Sequence, residues 1–171
     1  MKKKFVFSSL LVIVCLLTTI SAQAYGFLGN KVPNPKGITY YIGSSVGSWN
    51  TDARHGVFAW DPAPEIVIYG QKYTKSQATI RFEYSSTDTN DYATEVSECR
   101  CSTSDYSNIT FWADFGPLSD DREKETAAHE VGHSLGLAHE DDVPSIMVSG
   151  PEWLDSIYPV SDDWSGIRAR Y

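Results

Sequence analysis

The chain has 171 residues, a length that suits one folded domain. Its 14 basic and 22 acidic residues give a net charge of −8, which argues against nucleic acid and anionic lipid as partners. An acidic balance is also common in secreted proteins for solubility alone, so it identifies no substrate.

The first stretch is set apart from that domain. Lys2, Lys3 and Lys4 form a basic start, Phe5 to Ile20 is an apolar run, and Ala22-Gln23-Ala24 is a small-x-small cleavage site. This predicts a secretory signal peptide over residues 1–24, cut before Tyr25. The run is short for a membrane span, which needs about 20 apolar residues. Cys15 follows Val-Ile-Val rather than small residues, which argues against a lipid-modified cysteine. The mature chain, residues 25–171, then has 11 basic and 22 acidic residues and a charge of −11. It is expected to be a monomer with no stable membrane insertion.

Residues 25–37 are rich in Gly, Pro and Asn and read as an extended opening segment. Ile38 to Ile42 is a predicted strand. Ser48 is a candidate cap for a helix beginning near Trp49, with Trp49, Ala53, Val57 and Trp60 on one face and Asp61-Pro62 as its stop. His55 points to another side of that helix and reads as a surface or packed histidine. Glu65 to Tyr69 and Ala78 to Tyr84 alternate as strands, and residues 86–91 form a polar loop. Thr94 to Cys101 and Ile109 to Phe115 are two further strands. Asp120 and Glu123 suggest a capping box for a helix that buries Ala127, Val131 and Leu135. Ser161 is a candidate cap for a last helix, with Trp164, Ile167 and Tyr171 inward.

Cys99 and Cys101, in the run ECRC, are the cysteines of the mature chain. Exported to an oxidising compartment, they are expected to bond to each other, although one intervening residue makes a small, strained ring. A free pair, an intermolecular bridge and a thiolate that blocks a metal remain open as alternatives.

The chemistry concentrates in AAHEVGHSLGLAHE, residues 127–140. His129 and His133 stand four residues apart, so a helix puts both on one face, where they can hold one ion. Glu130 can reach a metal-bound water without being a ligand. An unbroken helix would carry a third imidazole away. Gly136 can take positive φ and end the helix, which lets the turned chain bring back His139. Three neutral imidazoles with an open fourth position suit catalytic rather than structural zinc. A bare H-E-x-x-H also occurs on solvated helices. The extended spacing, followed by Met147 in SIMVSG, argues against that simpler account.

The extended motif with its methionine resembles the metzincin signature. The opening ITYYIG…ARHGVFAW and the closing SDDWSGIRARY are similar to a matrixin (matrix metalloprotease) catalytic domain. The resemblance implies an α+β fold with a twisted, mostly parallel sheet, an active-site helix, a Met-turn and a C-terminal helix. It implies zinc bound by His129, His133 and His139, Glu130 as general base and Met147 beneath the metal. The expected activity is that of a secreted endopeptidase, bacterial in type, acting on protein or peptide substrates. Zinc polarises the peptide carbonyl and brings the pKa of its water to about 7, and Glu130 carries the proton to the leaving amine. The freed ammonium of Tyr25 would pair with Asp162, the first of the double aspartates. Both aspartates otherwise serve the helix dipole.

The sequence departs from the matrixin pattern in several places. Glu140 follows the third histidine where matrixins have Ser. No Pro-Arg-Cys-Gly segment precedes the domain, so no cysteine switch is expected. With His55 as the one further histidine, the histidine-rich structural zinc site cannot be built. Structural calcium remains open, at positions the sequence does not place. The stretch VSGPEWLDSIYP does not align with the matrixin pocket wall, which leaves cleavage preference undetermined. The competing reading is a non-catalytic secreted zinc-binding module, such as an adhesin or toxin component. The presence of Glu130 argues against it.

Overall fold

The computed structural model describes residues 25–99, 104–150 and 153–171. The predicted signal peptide and the Cys99–Cys101 pairing fall outside the described residues.

Five strands form one mixed sheet: β1 (Ile38–Ile42), β2 (Ile68–Gln71), β3 (Ile80–Tyr84), β4 (Ala93–Cys99) and β5 (Ser104–Phe111). Their order across the sheet is β2-β1-β3-β5-β4. The first three pairings are parallel, and β4 runs antiparallel to β5 at the edge. Among the described residues three α-helices accompany the sheet: α1 (Asn50–Phe58), α2 (Asp120–Ser134) and α3 (Ser161–Arg170). This is the α+β arrangement expected from the sequence.

Alternation drives the packing. Ile38, Tyr40 and Ile42 of β1 are buried, as are Ile80 and Phe82 of β3 and Ile109 and Phe111 of β5. Residues two apart on a strand share a face, so these side chains form one apolar layer. Phe111 stacks on Phe115 with ring centroids 4.0 Å apart. Against this layer α1 presents Ala53 and Val57, and α2 presents Ala127, Val131 and Leu135, all buried. The two helices approach closely at Gly56, where a Cβ would stand 2.6 Å from the Ala127 carbonyl oxygen. Trp60 seals the crossing by donating its indole N–H to the Ala128 carbonyl at 3.0 Å.

Several boundaries differ from the sequence expectation. The second strand begins at Ile68 rather than Glu65, because main-chain bonds from Ala63 to Trp60 and from Ile66 to Ala63 keep residues 60–66 in turns. The fifth strand ends at Phe111, and Ala113–Phe115 turns so that Phe115 can stack back on Phe111. The capping box at Asp120 does not form. Ser119 is the N-cap of α2 and makes no side-chain cap bond, while Glu123 accepts from the Trp49 indole instead. On α3 the N-cap is Val160, one residue before the expected Ser161.

Candidate metal centre and active-site cleft

Helix α2 ends as the glycine argument requires. Gly136 has φ +91, its N–H bonds the His133 carbonyl, and the Leu137 N–H bonds the Gly132 carbonyl at 3.0 Å. These are the two bonds of a Schellman stop. The reversed chain is fixed by the opening segment: Leu28 N–H donates to the Gly136 carbonyl, and Ala138 N–H to the Gly26 carbonyl. Residues 26–28 thus form a short antiparallel brace behind His139, a role that their composition did not announce.

His129, His133 and His139 each offer a ring nitrogen, all within 4.8 Å of one another. The Nδ1 of His129 lies 2.7 Å from the Ile146 carbonyl oxygen, and that of His133 lies 2.9 Å from the Leu137 carbonyl oxygen. A carbonyl only accepts, so both Nδ1 atoms carry the proton and both Nε2 atoms keep a lone pair. The Nε2 atoms of His133 and His139 face each other at 3.1 Å. Two lone pairs at that distance repel unless a cation or a proton lies between them. Burial pushes the pKa of His129 down to about 3 and that of His133 down to about 4, with neighbouring imidazoles acting in the same direction. Neutral imidazoles whose outer nitrogens are fixed by carbonyls are the donor set zinc takes.

Glu130 is buried in the same helix turn. Burial pushes its pKa up to about 8, and the nearby Glu95 adds to the rise, while the Glu95 main-chain N–H pulls the other way. Met147 is buried, with its sulfur against Gly132 of α2. Its turn is tied down by Asp163 of α3, which accepts from the Ser145 hydroxyl at 2.5 Å, the Ile146 N–H at 3.1 Å and the Val160 N–H at 2.7 Å. Since Ile146 also holds His129, Asp163 sits two contacts from the His129 ring. The sequence signal was there, in two adjacent aspartates opening the last helix. Only the three-dimensional structure separates their roles. Asp162 has one buried carboxylate oxygen with no partner among the described residues. His55 bonds the Ile157 carbonyl and packs on Tyr158, away from the three histidines.

The centre opens into a cleft of about 730 Å³, whose lining includes Tyr92, Thr94 and Glu95 together with Val148 and Trp153. Trp153 packs on Tyr92 at 5.5 Å and beneath the Arg122 guanidinium. Glu125, deep in the cleft lining, pairs with Arg122 and accepts the Leu154 N–H at 2.6 Å, which pins the wall after the Met-turn to α2.

Comparison with known proteins agrees with this geometry. The chain is 42% identical over 45 residues to interstitial collagenase of Oryctolagus cuniculus and 44% identical over 45 residues to that of Bos taurus. Each match covers 26% of this chain and 10% of the relative, so the chain spans about a tenth of the length of the curated relatives it matches. The family profile described as Matrixin matches residues 36–171, and with it the sheet, all three histidines, the Met-turn and the last helix. The chain belongs to the matrixin family of zinc metalloendopeptidases.

Proposed function

We propose that this chain is a secreted zinc endopeptidase whose working domain is residues 25–171. The observation that carries the reading is the pair His129 and His133, each pinned through Nδ1 to a carbonyl, with Glu130 buried beside them in an open cleft. His129, His133 and His139 would hold the zinc, which would supply Lewis acidity toward a carbonyl oxygen and a water near neutral pH.

The chain's own residues do the rest. Strand β4 is the sheet edge and its residues Ala93, Thr94 and Glu95 line the cleft, so an extended peptide can add there by main-chain bonding. Glu130 takes the proton of the attacking water as its oxygen bonds the carbonyl carbon. Glu130 then returns a proton to the amine nitrogen as the C–N bond breaks. In the metal-free chain burial pushes this carboxyl up to about 8, and a divalent cation held beside it would favour the ionised form that accepts the proton. Met147 and Asp163 keep the Ile146 carbonyl, and through it the His129 ring, in place.

The proposed cut after Ala24 would free an ammonium on Tyr25. The side chain of Tyr25 packs on α3, where a Cβ on Gly166 would stand 3.3 Å from the Tyr25 Cβ. One turn earlier lies Asp162, with its unpartnered buried oxygen, and this supports their pairing. Export is supported by the leader pattern of residues 1–24, and no described helix is long and apolar enough to cross a membrane. The test is a peptide library offered to the secreted protein with zinc and with a chelator. Zinc-dependent cleavage at internal bonds is expected. A zinc-loaded protein that cleaves nothing would favour the non-catalytic binding module.

A further inference from the structure

A second group of acidic side chains lies at the other end of α2, outside the cleft. Asp52 of α1 and Asp120 and Glu123 of α2 each place a carboxylate oxygen within 4.8 Å of the others. Asp52 is 4% exposed, and its Oδ1 has no hydrogen-bond partner among the described residues. One oxygen of Glu123 is taken by the Trp49 indole N–H at 2.9 Å. Asp120 pairs with Lys124, but its side chain is 79% exposed, and such a pair contributes little to stability. A buried carboxylate oxygen without a donor is costly, and two further carboxylates beside it raise that cost.

We propose that Asp52, Asp120 and Glu123 form a calcium site that clips α1 to the start of the active-site helix. The donor set is all oxygen and carries three formal negative charges, which a hard divalent cation matches. Calcium takes oxygens at about 2.3–2.6 Å, so two ligands on opposite sides of it stand roughly 4.6–5.2 Å apart. The three carboxylates already lie inside that span. A cation there gives the Asp52 carboxylate a partner, and the mutual repulsion of the three groups becomes attraction to a common ion. Burial raises the pKa of both Asp52 and Glu123, and neighbouring carboxylates add to the rise while Lys124 opposes it. Glu123 lies six residues before His129, about 9 Å along the helix axis. Calcium here would stiffen the segment that carries the zinc ligands without touching them. With three protein ligands and water completing the shell, the affinity belongs with extracellular modules, at about 0.1–1 mM.

Terbium, a calcium surrogate that emits when a nearby indole is excited, tests the site with hydrolysis left out of the measurement. Trp49, bonded to Glu123, is the built-in antenna. The zinc-loaded mature chain should give saturable terbium emission that millimolar calcium displaces. Asp52→Asn and Glu123→Gln should each weaken terbium binding by at least about tenfold, as loss of a charged ligand does. Millimolar calcium should raise the melting temperature of the wild-type chain and leave that of Asp52→Asn unchanged. The melting curves show directly whether each variant folds. If one does not, the other variant and the wild-type melt carry the decision. Absence of saturable emission, or wild-type terbium affinity in a folded variant, overturns the site.

Discussion

The sulfur of Met147 occupies the space into which a side chain on Gly132 would project. Gly132 lies between Glu130 and His133, so the methionine can rise against the back of the metal-binding turn only because that position is bare. The Trp60 ring closes the same space, 2.9 Å from where the Cβ would be.

Gly132→Ala should therefore overpack the centre, at a cost of about 1–3 kcal/mol. For a domain of this size that is a fall of roughly 2–12 °C in melting temperature. Zinc content should fall with it, since the displaced methionine belongs to the turn that holds His129. Melting and metal analysis on the same sample check both. An unchanged melting temperature would mean that Met147 is not confined as described.

Asp163→Ala should be more damaging than Asp162→Ala. It removes the acceptor of one hydroxyl and two main-chain N–H groups, all buried or part-buried. Each donor left unpaired in the interior costs about 1–3 kcal/mol. The Ile146 carbonyl loses its fixed position, so zinc affinity should drop by about 10–100-fold, the range for losing outer support of a ligand. Chelator competition measures it. Equal zinc affinity in wild type and Asp163→Ala would remove Asp163 from the account.

The paired aspartates also show what could be read in the sequence and what could not. The histidine spacing, the Gly136 stop and the alternation of Ile38 to Ile42 are local signals, tied to one period or one φ angle, and each reappears in the fold. Other features depend on partners distant in sequence. Glu123 was expected to cap its own helix but bonds Trp49, 74 residues earlier. Residues 26–28 pair with residues 136–138, and Asp163 reaches Ser145 and Ile146. No periodicity encodes such contacts. Strand ends moved for the same reason, as Phe115 left the expected strand to stack on Phe111.

Acidification should unfold the metal-free chain from the histidine side. Burial pushes the pKa values of His129 and His133 down to about 3 and about 4, against 6.5 for the ordinary imidazole. Below about 6.5 the unfolded chain binds protons that the folded chain refuses. The stability these two groups provide is thus whole above about 6.5 and is lost as pH falls toward 4 and 3. Glu130, pushed up to about 8, acts with the opposite sign over the same interval and nearly offsets the two histidines. The raised carboxyls of Asp52 and Glu123 act in the same direction as Glu130, so the test is made on Glu130→Gln. The thermal midpoint of metal-free Glu130→Gln should fall between pH 7.5 and pH 5.5. A flat or rising midpoint in that variant contradicts the half-buried, neutral imidazoles of His129 and His133.

The pairing proposed for Tyr25 and Asp162 makes a narrower claim. Adding one Ala before Tyr25, or changing Asp162→Asn, should each lower the melting temperature and slow hydrolysis. The effects should not add, because both remove the same contact. If neither change alters either property, the terminal ammonium has no role and Asp162 serves the start of α3 alone.

The central claim is that Glu130 acts on protons while the three histidines hold the metal. Glu130→Gln keeps the size of the side chain and removes its basicity. Zinc content and peptide hydrolysis measured on this one variant separate the two roles. The account predicts about one zinc per chain, as in wild type, with hydrolysis reduced by at least roughly a hundredfold. Hydrolysis at the wild-type rate with zinc retained would contradict it.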